Sequence, residues 1–281
     1  MSISLDLSPL APGTTTTCQL DAGPASSCGS SYIRSGLATG VHTLRVRAVE
    51  PGGRVVVAAR TFTTDAAAPA VRLTAPTFGT TTATSAQITY AASDASGVSS
   101  YDVRYRRSPY NGTFGAYVQP WTGTRSTTVS LSVAPGYEYC VAVRARDLYG
   151  NVSGWTAERC FSRPLDDTAL TLSTGWTRSR NSVFYLGTVT SSSRYGAALT
   201  KPVVARRVTI VATRCPSCGS VAVYLGTTRL GSVNLAASTT QRKVLIALPA
   251  LTAPRSGTLR IVVTSASGRL VQIDGVAIRR T

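Results

Sequence analysis

The stretch Tyr139–Val152 reads Tyr-Cys-Val-Ala-Val-Arg-Ala-Arg-Asp-Leu-Tyr-Gly-Asn-Val and indicates how this chain folds. Its first half has the apolar composition of a strand, and an acidic residue followed by glycine is typical of a tight turn. A related stretch, His42–Val55, reads His-Thr-Leu-Arg-Val-Arg-Ala-Val-Glu-Pro-Gly-Gly-Arg-Val. Both place Val-Arg-Ala, an acidic residue and a glycine at matching positions. This internal repeat predicts two modules with the same strand–turn–strand plan.

Alternating apolar and polar residues continue through the rest of the chain, for example in Ile88–Ala92, Val129–Val133 and Val221–Leu225. Clusters of Gly, Pro, Ser, Thr and Asp separate these runs, and helical periodicity is nearly absent. Two linkers, Thr64–Pro69 and Arg163–Asp167, interrupt the pattern. The sequence therefore predicts an all-β chain of three tandem β-sandwich modules. Their expected bounds are residues 1–66, 67–165 and 168–281.

The second module contains Tyr101-Asp102-Val103-Arg104-Tyr105, Pro135-Gly136, Tyr139 and Gly150-Asn151-Val152-Ser153. Through these residues it resembles a bacterial fibronectin type III domain, of the kind found in secreted actinobacterial proteins. In that family the tyrosine that matches Tyr139 forms a tyrosine corner, with its hydroxyl bonded to nearby backbone. The resemblance therefore implies a structural role for Tyr139.

The first module contains Cys18-Gln19-Leu20-Asp21, Gly40-Val41-His42-Thr43 and Thr61-Phe62-Thr63. These residues resemble the bacterial immunoglobulin-like repeats, which usually carry one or two strands before the position of Ile3. We therefore expect the first module to be N-terminally incomplete and to be the least stable of the three, or to borrow a strand from a neighbour.

The third module contains the runs Gly219–Gly226, Ser256–Val263 and Val271–Val276. These resemble the galactose-binding-like jelly rolls found beside carbohydrate-active enzymes. That family usually shows a carboxylate-rich calcium loop, which is missing here. The resemblance implies a jelly roll that binds carbohydrate without a metal.

The six cysteines fall into three local pairs: Cys18 with Cys28, Cys140 with Cys160, and Cys215 with Cys218. Six cysteines allow 15 pairings, but each local pair lies within one module, which favours local disulfides and an oxidising compartment. Cys215 and Cys218 also fit a redox dithiol or half a zinc site, although flanking strands favour a structural disulfide. The first residues contain no export signal, which suggests a fragment, a processed form or a misplaced start. The expected location is extracellular or at the cell surface.

The residues needed for catalysis are scarce. His42 is the single histidine, and the repeat places it at the position of Tyr139, which indicates a structural role. No nucleophile elbow and no glycine-rich phosphate loop occurs. After Asp167 the only carboxylate is Asp274, so the third module lacks the carboxyl pair that glycoside hydrolysis requires. We predict a protein that is not an enzyme, with no catalytic residue, metal ligand or cofactor.

Asp147 with Gly150-Asn151 resembles a calcium turn or a hairpin turn. Calcium takes six to eight oxygen ligands, and no second acidic cluster lies near in the sequence. A hairpin turn is therefore favoured.

Positive charge is concentrated in the third module. The chain has 29 basic and 12 acidic residues, a formal net charge of +17. From Asp166 onward, 13 arginines and two lysines stand against three aspartates, a net charge of +12. Mutational bias in a high-GC genome and a merely solvated basic surface are competing explanations. The candidate ligand-binding residues are the aromatics Trp176 and Tyr195 and the arginines Arg178, Arg180, Arg194, Arg206, Arg207 and Arg214. For Trp176 the alternative is a structural role in the core of the jelly roll, because tryptophans near a first strand often fill it.

Three hypotheses for function follow. The first is a non-catalytic extracellular binding and spacer protein that presents its basic jelly roll to carbohydrate or another anionic envelope polymer. The second is the accessory C-terminal region of a larger secreted glycoside hydrolase or peptidase, with a catalytic domain upstream. The third is nucleic-acid binding through the basic third module, although no nucleic-acid-binding fold is recognised. No membrane span is predicted, and the oligomeric state is left open.

Overall fold

The computed structural model describes residues 2–7 and 10–281, and antiparallel strands form most of it. The first module contains β1 (Ser2–Asp6), β2 (Thr15–Leu20), β3 (Ser26–Ser27), β4 (Ser31–Ser35), β5 (Gly40–Val49) and β6 (Val55–Thr64). The second contains β7 (Ala70–Ala75), β8 (Ser85–Ser93), β9 (Val98–Pro109), β10 (Val118–Thr124), β11 (Thr128–Ser132), β12 (Tyr137–Asp147) and β13 (Arg159–Arg163). The all-β fold class predicted from the alternation is confirmed.

The third module contains eleven further strands and two single-turn 3₁₀ helices. The strands are β14 (Leu165–Asp166), β15 (Thr171–Leu172), β16 (Thr177–Arg180), β17 (Thr188–Ser192), β18 (Ala198–Ala205), β19 (Arg207–Arg214), β20 (Ser220–Leu225), β21 (Thr228–Asn234), β22 (Gln241–Ala247), β23 (Arg255–Val263) and β24 (Val271–Arg279). The 3₁₀ helices span Asp167–Ala169 and Tyr185–Gly187.

The chain divides into two compact units. The first comprises Met1–Val71, Ala92–Ser100 and Arg144–Gly154, which is the first module with two turn regions of the second. The second comprises Arg72–Ala91, Tyr101–Val143 and Trp155–Thr281, which is the rest of the second module and the whole third module.

The first module has a thin apolar core. It consists of a four-stranded sheet, in the order β3-β2-β5-β6, and a two-stranded sheet of β1 and β4. Among its described residues, the buried apolar side chains are Cys18, Leu37 and Leu44. The valines at the start of the edge strand β6 are exposed, and an apolar cleft of about 290 Å³ opens beside Leu44. Little apolar burial holds these strands together.

We expect the first module to open more readily than the third, since local stability follows local apolar burial. Hydrogen exchange on the full chain tests this with two strands that each have a partner on both sides, β5 and β23. Amides of β5 should exchange about tenfold faster or more than amides of β23. Equal protection of the two strands would contradict the expectation.

The second module is a sandwich of a four-stranded sheet, β10-β9-β12-β13, and a three-stranded sheet, β11-β8-β7. Such a two-sheet antiparallel sandwich is the architecture expected from the sequence. The Tyr139 ring is buried, and its hydroxyl accepts a hydrogen bond from the Ala134 N–H at 2.8 Å. Tyr139 also stacks on Phe161, with ring centroids 5.9 Å apart. The contact fixes the turn before β12.

The six cysteines form the disulfides Cys18–Cys28, Cys140–Cys160 and Cys215–Cys218. The second of these joins residues that are paired directly across β12 and β13. Cys215 and Cys218 lie between the strands β19 and β20 and not at a helix N-terminus, which fits the structural interpretation of this disulfide.

Replacing Cys140 and Cys160 together by serine should lower the free energy of unfolding of the second module by about 2–4 kcal/mol, because the bridge restricts the unfolded chain. Thermal and urea unfolding of the full chain would measure the change. The matched control is the double serine variant of Cys215 and Cys218, which are only 3 residues apart instead of 20. Its shorter loop should make the loss smaller by about 1.5 kcal/mol. An unchanged unfolding midpoint in the Cys140 and Cys160 variant would refute the prediction.

The third module packs two sheets face to face. One has the order β16-β17-β24-β19-β22, with β14 also paired to β24, and the other has the order β15-β18-β23-β20-β21. The core between them contains Ile210, Val223, Ile261 and Ile273.

The segment taken as a linker is itself a strand of the third module, because Leu165 pairs with Val276 and Asp166 with Gly275. Gly275 permits this approach: a Cβ there would lie 2.4 Å from the Leu165 carbonyl oxygen. The third module therefore begins at Leu165, three residues before the expected boundary.

The second and third modules are joined within the second unit by Glu138, which is 2% exposed. Its carboxylate accepts hydrogen bonds from the Arg280 N–H at 2.7 Å and from the Thr281 hydroxyl at 2.5 Å. Arg279 completes the contact, with Nε 3.6 Å from Oε1 of Glu138. The C-terminal end of β24 is thus fastened to β12.

Candidate binding surface

The loops at one end of the third module are joined to each other by backbone hydrogen bonds. We call these the distal loops: residues 173–176, 193–197, 215–219, 235–237 and 264–270. The Gly268 N–H donates to the Ser193 carbonyl at 2.9 Å, and the Leu270 N–H donates to Ser217 at 3.2 Å. They lie at the start of β24, whereas its other end contacts Glu138. Backbone bonds and the Cys215–Cys218 disulfide hold the distal loops in place.

Two of the candidate ligand residues, Arg194 and Tyr195, stand together on the distal loops. Tyr195 is 66% exposed, and its N–H lies 3.4 Å from the Ser267 hydroxyl. The exposed Arg194 side chain runs over Gly175, where a Cβ would lie only 2.7 Å from Cδ of Arg194. Gly175 also has a positive φ of +100°, which favours glycine. The distal loops therefore carry an exposed aromatic side chain and an exposed arginine at consecutive positions.

The expectation that Trp176 is a stacking platform is wrong. Trp176 is 7% exposed and belongs to the core between the two sheets, together with Leu199 and Ile273. Trp176 immediately precedes β16, and its ring lies inside the sandwich. The alternative that it fills the core of the jelly roll therefore agrees with the structure.

Arg178 is exposed, but part of its guanidinium is used within the module. Its Nη2 donates to the carbonyls of Asp167 at 2.9 Å and Leu170 at 2.6 Å, and its Nε lies 3.7 Å from the Asp167 carboxylate. These contacts hold the 3₁₀ turn at Asp167–Ala169 against β16. The role of Arg178 is therefore structural.

Of the other candidate arginines, only Arg214 lies at the distal-loop end of the module with Arg194. Arg207 and Arg214 are at opposite ends of β19, which at about 3.3 Å per residue separates them by about 23 Å. Arg206 donates to the Leu251 carbonyl at 3.1 Å, and Arg214 donates to the Ala236 carbonyl at 3.2 Å. Arg180 is exposed on the edge strand β16. The expected set of six arginines is thus divided between the two ends and one edge of the module.

Two clefts accompany the arginines of β19. Arg214, Ser232 and Asn234 line a cleft of about 530 Å³ beside β21 and β22. Arg207 and Arg279 line a smaller cleft of about 240 Å³ near Thr80. Both are open grooves with at least one arginine, but neither contains an aromatic side chain.

The carboxylates of the third module are mostly internal. Asp274 is 0% exposed, and both of its oxygens lie 2.9 Å from the Tyr185 N–H. Burial raises the pKa of Asp274 to about 7, although the Tyr185 hydrogen bond lowers it. Asp167 is equally buried and accepts from the Thr188 hydroxyl at 2.6 Å. Carboxylates enclosed in this way cannot flank a glycosidic bond.

His42 is held by two acceptors. Its Nδ1 lies 2.8 Å from the Asp21 carboxylate and its Nε2 lies 3.0 Å from the Ala38 carbonyl. The imidazolium form, which carries a proton on both nitrogens, satisfies both contacts. The Asp21 hydrogen bond, helped by Ala38, therefore raises the pKa of His42 above its ordinary value. With both nitrogens engaged, His42 is not placed to act as a general base.

Because His42 is the only histidine, its ring protons can be followed without ambiguity in an NMR titration of the full chain. We expect a pKa above 6.5. The stabilisation from protonated His42 is then complete below about pH 6.5 and is lost as the pH rises through the folded pKa. In the Asp21→Asn variant the pKa should return toward 6.5. A wild-type midpoint at or below that value would show that the contacts do not form in solution.

No helix among the described residues has the length and apolar character needed to cross a membrane.

Comparison with known proteins finds no matching family model and no matching curated protein. Among solved structures, the chain is similar to fibronectin(III)-like modules of Clostridium thermocellum CbhA, with 18% identity over 58% of this chain and 86% of that one, at a TM-score of 0.35. It is similar to carbohydrate-binding modules of the β-sandwich superfamily, with 15% identity over 77% of this chain and 100% of that one, at a TM-score of 0.37.

A third similarity is to SGBP-B from the Bacteroides ovatus mixed-linkage glucan utilization locus, in complex with a mixed-linkage heptasaccharide. Identity is 12% over 99% of this chain and 92% of that one, at a TM-score of 0.24. At such identities the ligands of these proteins do not transfer to this chain.

Proposed function

We propose that this chain is a non-catalytic extracellular binding protein whose third module binds an anionic polysaccharide through its distal loops. The observation that carries the proposal is the exposed Tyr195 beside Arg194 on loops that are fixed by backbone hydrogen bonds and a disulfide. The first two modules act as spacers. The three disulfides support an oxidising, extracellular location.

The chemistry of the two side chains fits a charged sugar. A tyrosine ring offers a flat apolar face to the C–H face of a sugar ring, and it loses little conformational entropy on binding. The arginine fork matches the two oxygens of a carboxylate or phosphate. The net charge of +12 on the third module would draw a polyanion toward these loops. A uronate- or phosphate-bearing glycan combines all three requirements.

The distal loops could bind the polymer in either of two settings. The chain is then a free-standing surface protein or the accessory region of a larger secreted hydrolase or peptidase. In both, the distal loops attach the protein to a polymer. The buried carboxylates of the third module support a role without catalysis.

The proposal is tested by measuring retention of the full chain on immobilised polygalacturonate, with a neutral glucan as the reference matrix. Tyr195→Ala and Arg194→Ala should each weaken binding about tenfold, because each removes one of two adjacent contacts. The matched control is Arg255→Ala, which removes the same charge at an exposed position paired with Ala205, away from the distal loops. It should change binding less than about twofold.

Equal losses in Arg194→Ala and Arg255→Ala would show that diffuse charge alone retains the protein, and would overturn the proposal. Binding to duplex DNA at the same salt concentration, tighter than to polygalacturonate and insensitive to Tyr195→Ala, would favour nucleic acid instead. Binding to polygalacturonate should weaken as ionic strength rises, since the attraction is partly electrostatic.

A further inference from the structure

Three aspartates far apart in the sequence come together in the first compact unit. Asp65 follows β6, Asp94 follows β8 and Asp147 ends β12. One carboxylate oxygen from each lies within 4.8 Å of the others. The sequence favoured a simple hairpin turn at Asp147, because neither of the other two aspartates is near it along the chain. The fold supplies the second and third acidic groups.

Asp65 carries the observation that points to a ligand. It is 4% exposed, and its Oδ1 accepts hydrogen bonds from the Ala67 N–H at 2.9 Å and the Thr39 hydroxyl at 3.3 Å. Its Oδ2 is fully buried and has no hydrogen-bond partner by geometry among the described residues. The Ser96 hydroxyl lies close enough to lower the pKa of Asp65, but its single proton is donated to Oδ1 of Asp94 at 2.6 Å, so it cannot also satisfy Asp65. A buried carboxylate oxygen without a partner is costly, so a missing cationic partner is the natural explanation.

The other two carboxylates are oriented by neutral donors. Asp94 receives the Ser96 N–H at 2.8 Å and the Ser96 hydroxyl at 2.6 Å, both on Oδ1. Asp147 receives the Asn151 N–H at 2.8 Å and the Asn151 side-chain amide at 2.7 Å. The same amide nitrogen donates to the Asp65 carbonyl at 2.9 Å. These bonds fix the carboxylates but do not neutralise them.

The ion pairs of His42, Arg106, Arg178 and Arg279 are made with other carboxylates and do not involve the three aspartates. Three like charges this close repel each other unless a cation or protons lie between them. The whole chain is strongly basic, at +17, so this acidic cluster stands out against its surroundings.

We propose that Asp65, Asp94 and Asp147 bind one Ca²⁺ ion. Oxygens that share a calcium ion at 2.3–2.6 Å lie at most about 4.6–5.2 Å apart, so three carboxylate oxygens within 4.8 Å of one another are close enough to share one ion. The donors are all oxygen, which suits a hard cation. They come from three separate segments, and calcium accepts irregular geometry of this kind more readily than magnesium does.

Calcium at this position would tie the segment between β6 and β7 to the turn after β8 and to the end of β12. A ligand that binds only the folded state stabilises it, so the first compact unit should become more stable when calcium is present. This effect is independent of polysaccharide binding at the distal loops.

Isothermal titration of CaCl₂ into the full chain, after treatment with EDTA, tests the proposal. We expect one ion per chain with half-saturation at about 0.1–1 mM, and a calcium-dependent rise in the unfolding midpoint of the first unit. Diffuse binding is not expected, because the net charge of +17 repels cations. No binding heat and no shift in midpoint at about 10 mM Ca²⁺ would overturn the proposal.

Variants localise the ion. Asp94→Asn and Asp65→Asn should each weaken calcium binding about tenfold or more, since each removes a charged ligand while keeping an amide of the same shape. The matched control Glu50→Gln removes one negative charge from the same unit, in the turn between β5 and β6, and should bind calcium as the wild type does. An equal loss in Glu50→Gln, or tighter binding of Mg²⁺ than of Ca²⁺, would refute the assignment.

Discussion

The hold of Glu138 on the end of β24 organises the second compact unit. Glu138 lies on β12 of the second module, while β24 is bonded to β14, β17 and β19 in the third module. One buried carboxylate therefore connects an inner strand of one sandwich to an inner strand of the other. Because β24 starts at the distal loops, this same strand runs from the module junction to the candidate binding surface.

The fold could be predicted well because its cause is local. Alternating apolar residues specify strands, and the repeated Val-Arg-Ala motif indicates the shared hairpin of the first two modules. The site could be predicted only in part. Tyr195 and Arg194 lie in a polar stretch of sequence, which predicts exposure, and both are exposed in the structure. The same criterion failed for Trp176, because burial depends on the facing sheet and not on sequence neighbours. It also missed Gly175, whose lack of a side chain makes room for Arg194.

Counting arginines overstates the surface available to a polyanion. Arg178, Arg206 and Arg214 donate to backbone carbonyls, where they close loop ends that the strands leave unpaired. Their charges still contribute to the long-range field of the module, but their guanidinium donors are partly used. In the proposed function, the long-range attraction of a polyanion and its recognition at the distal loops would thus depend on different arginines. The aspartates behave differently from the arginines. Although the chain has few carboxylates, the fold brings three of them together at Asp65, Asp94 and Asp147.

The disulfides of this chain have a consequence for its biosynthesis. Their partners are 10, 20 and 3 residues apart, and each pair lies within a single module. Short separations give two thiols a high effective concentration, so the correct partner is met before any thiol of a later module has been made. Oxidation can therefore proceed module by module in the order of synthesis, with little need for a disulfide isomerase to correct exchanged pairs.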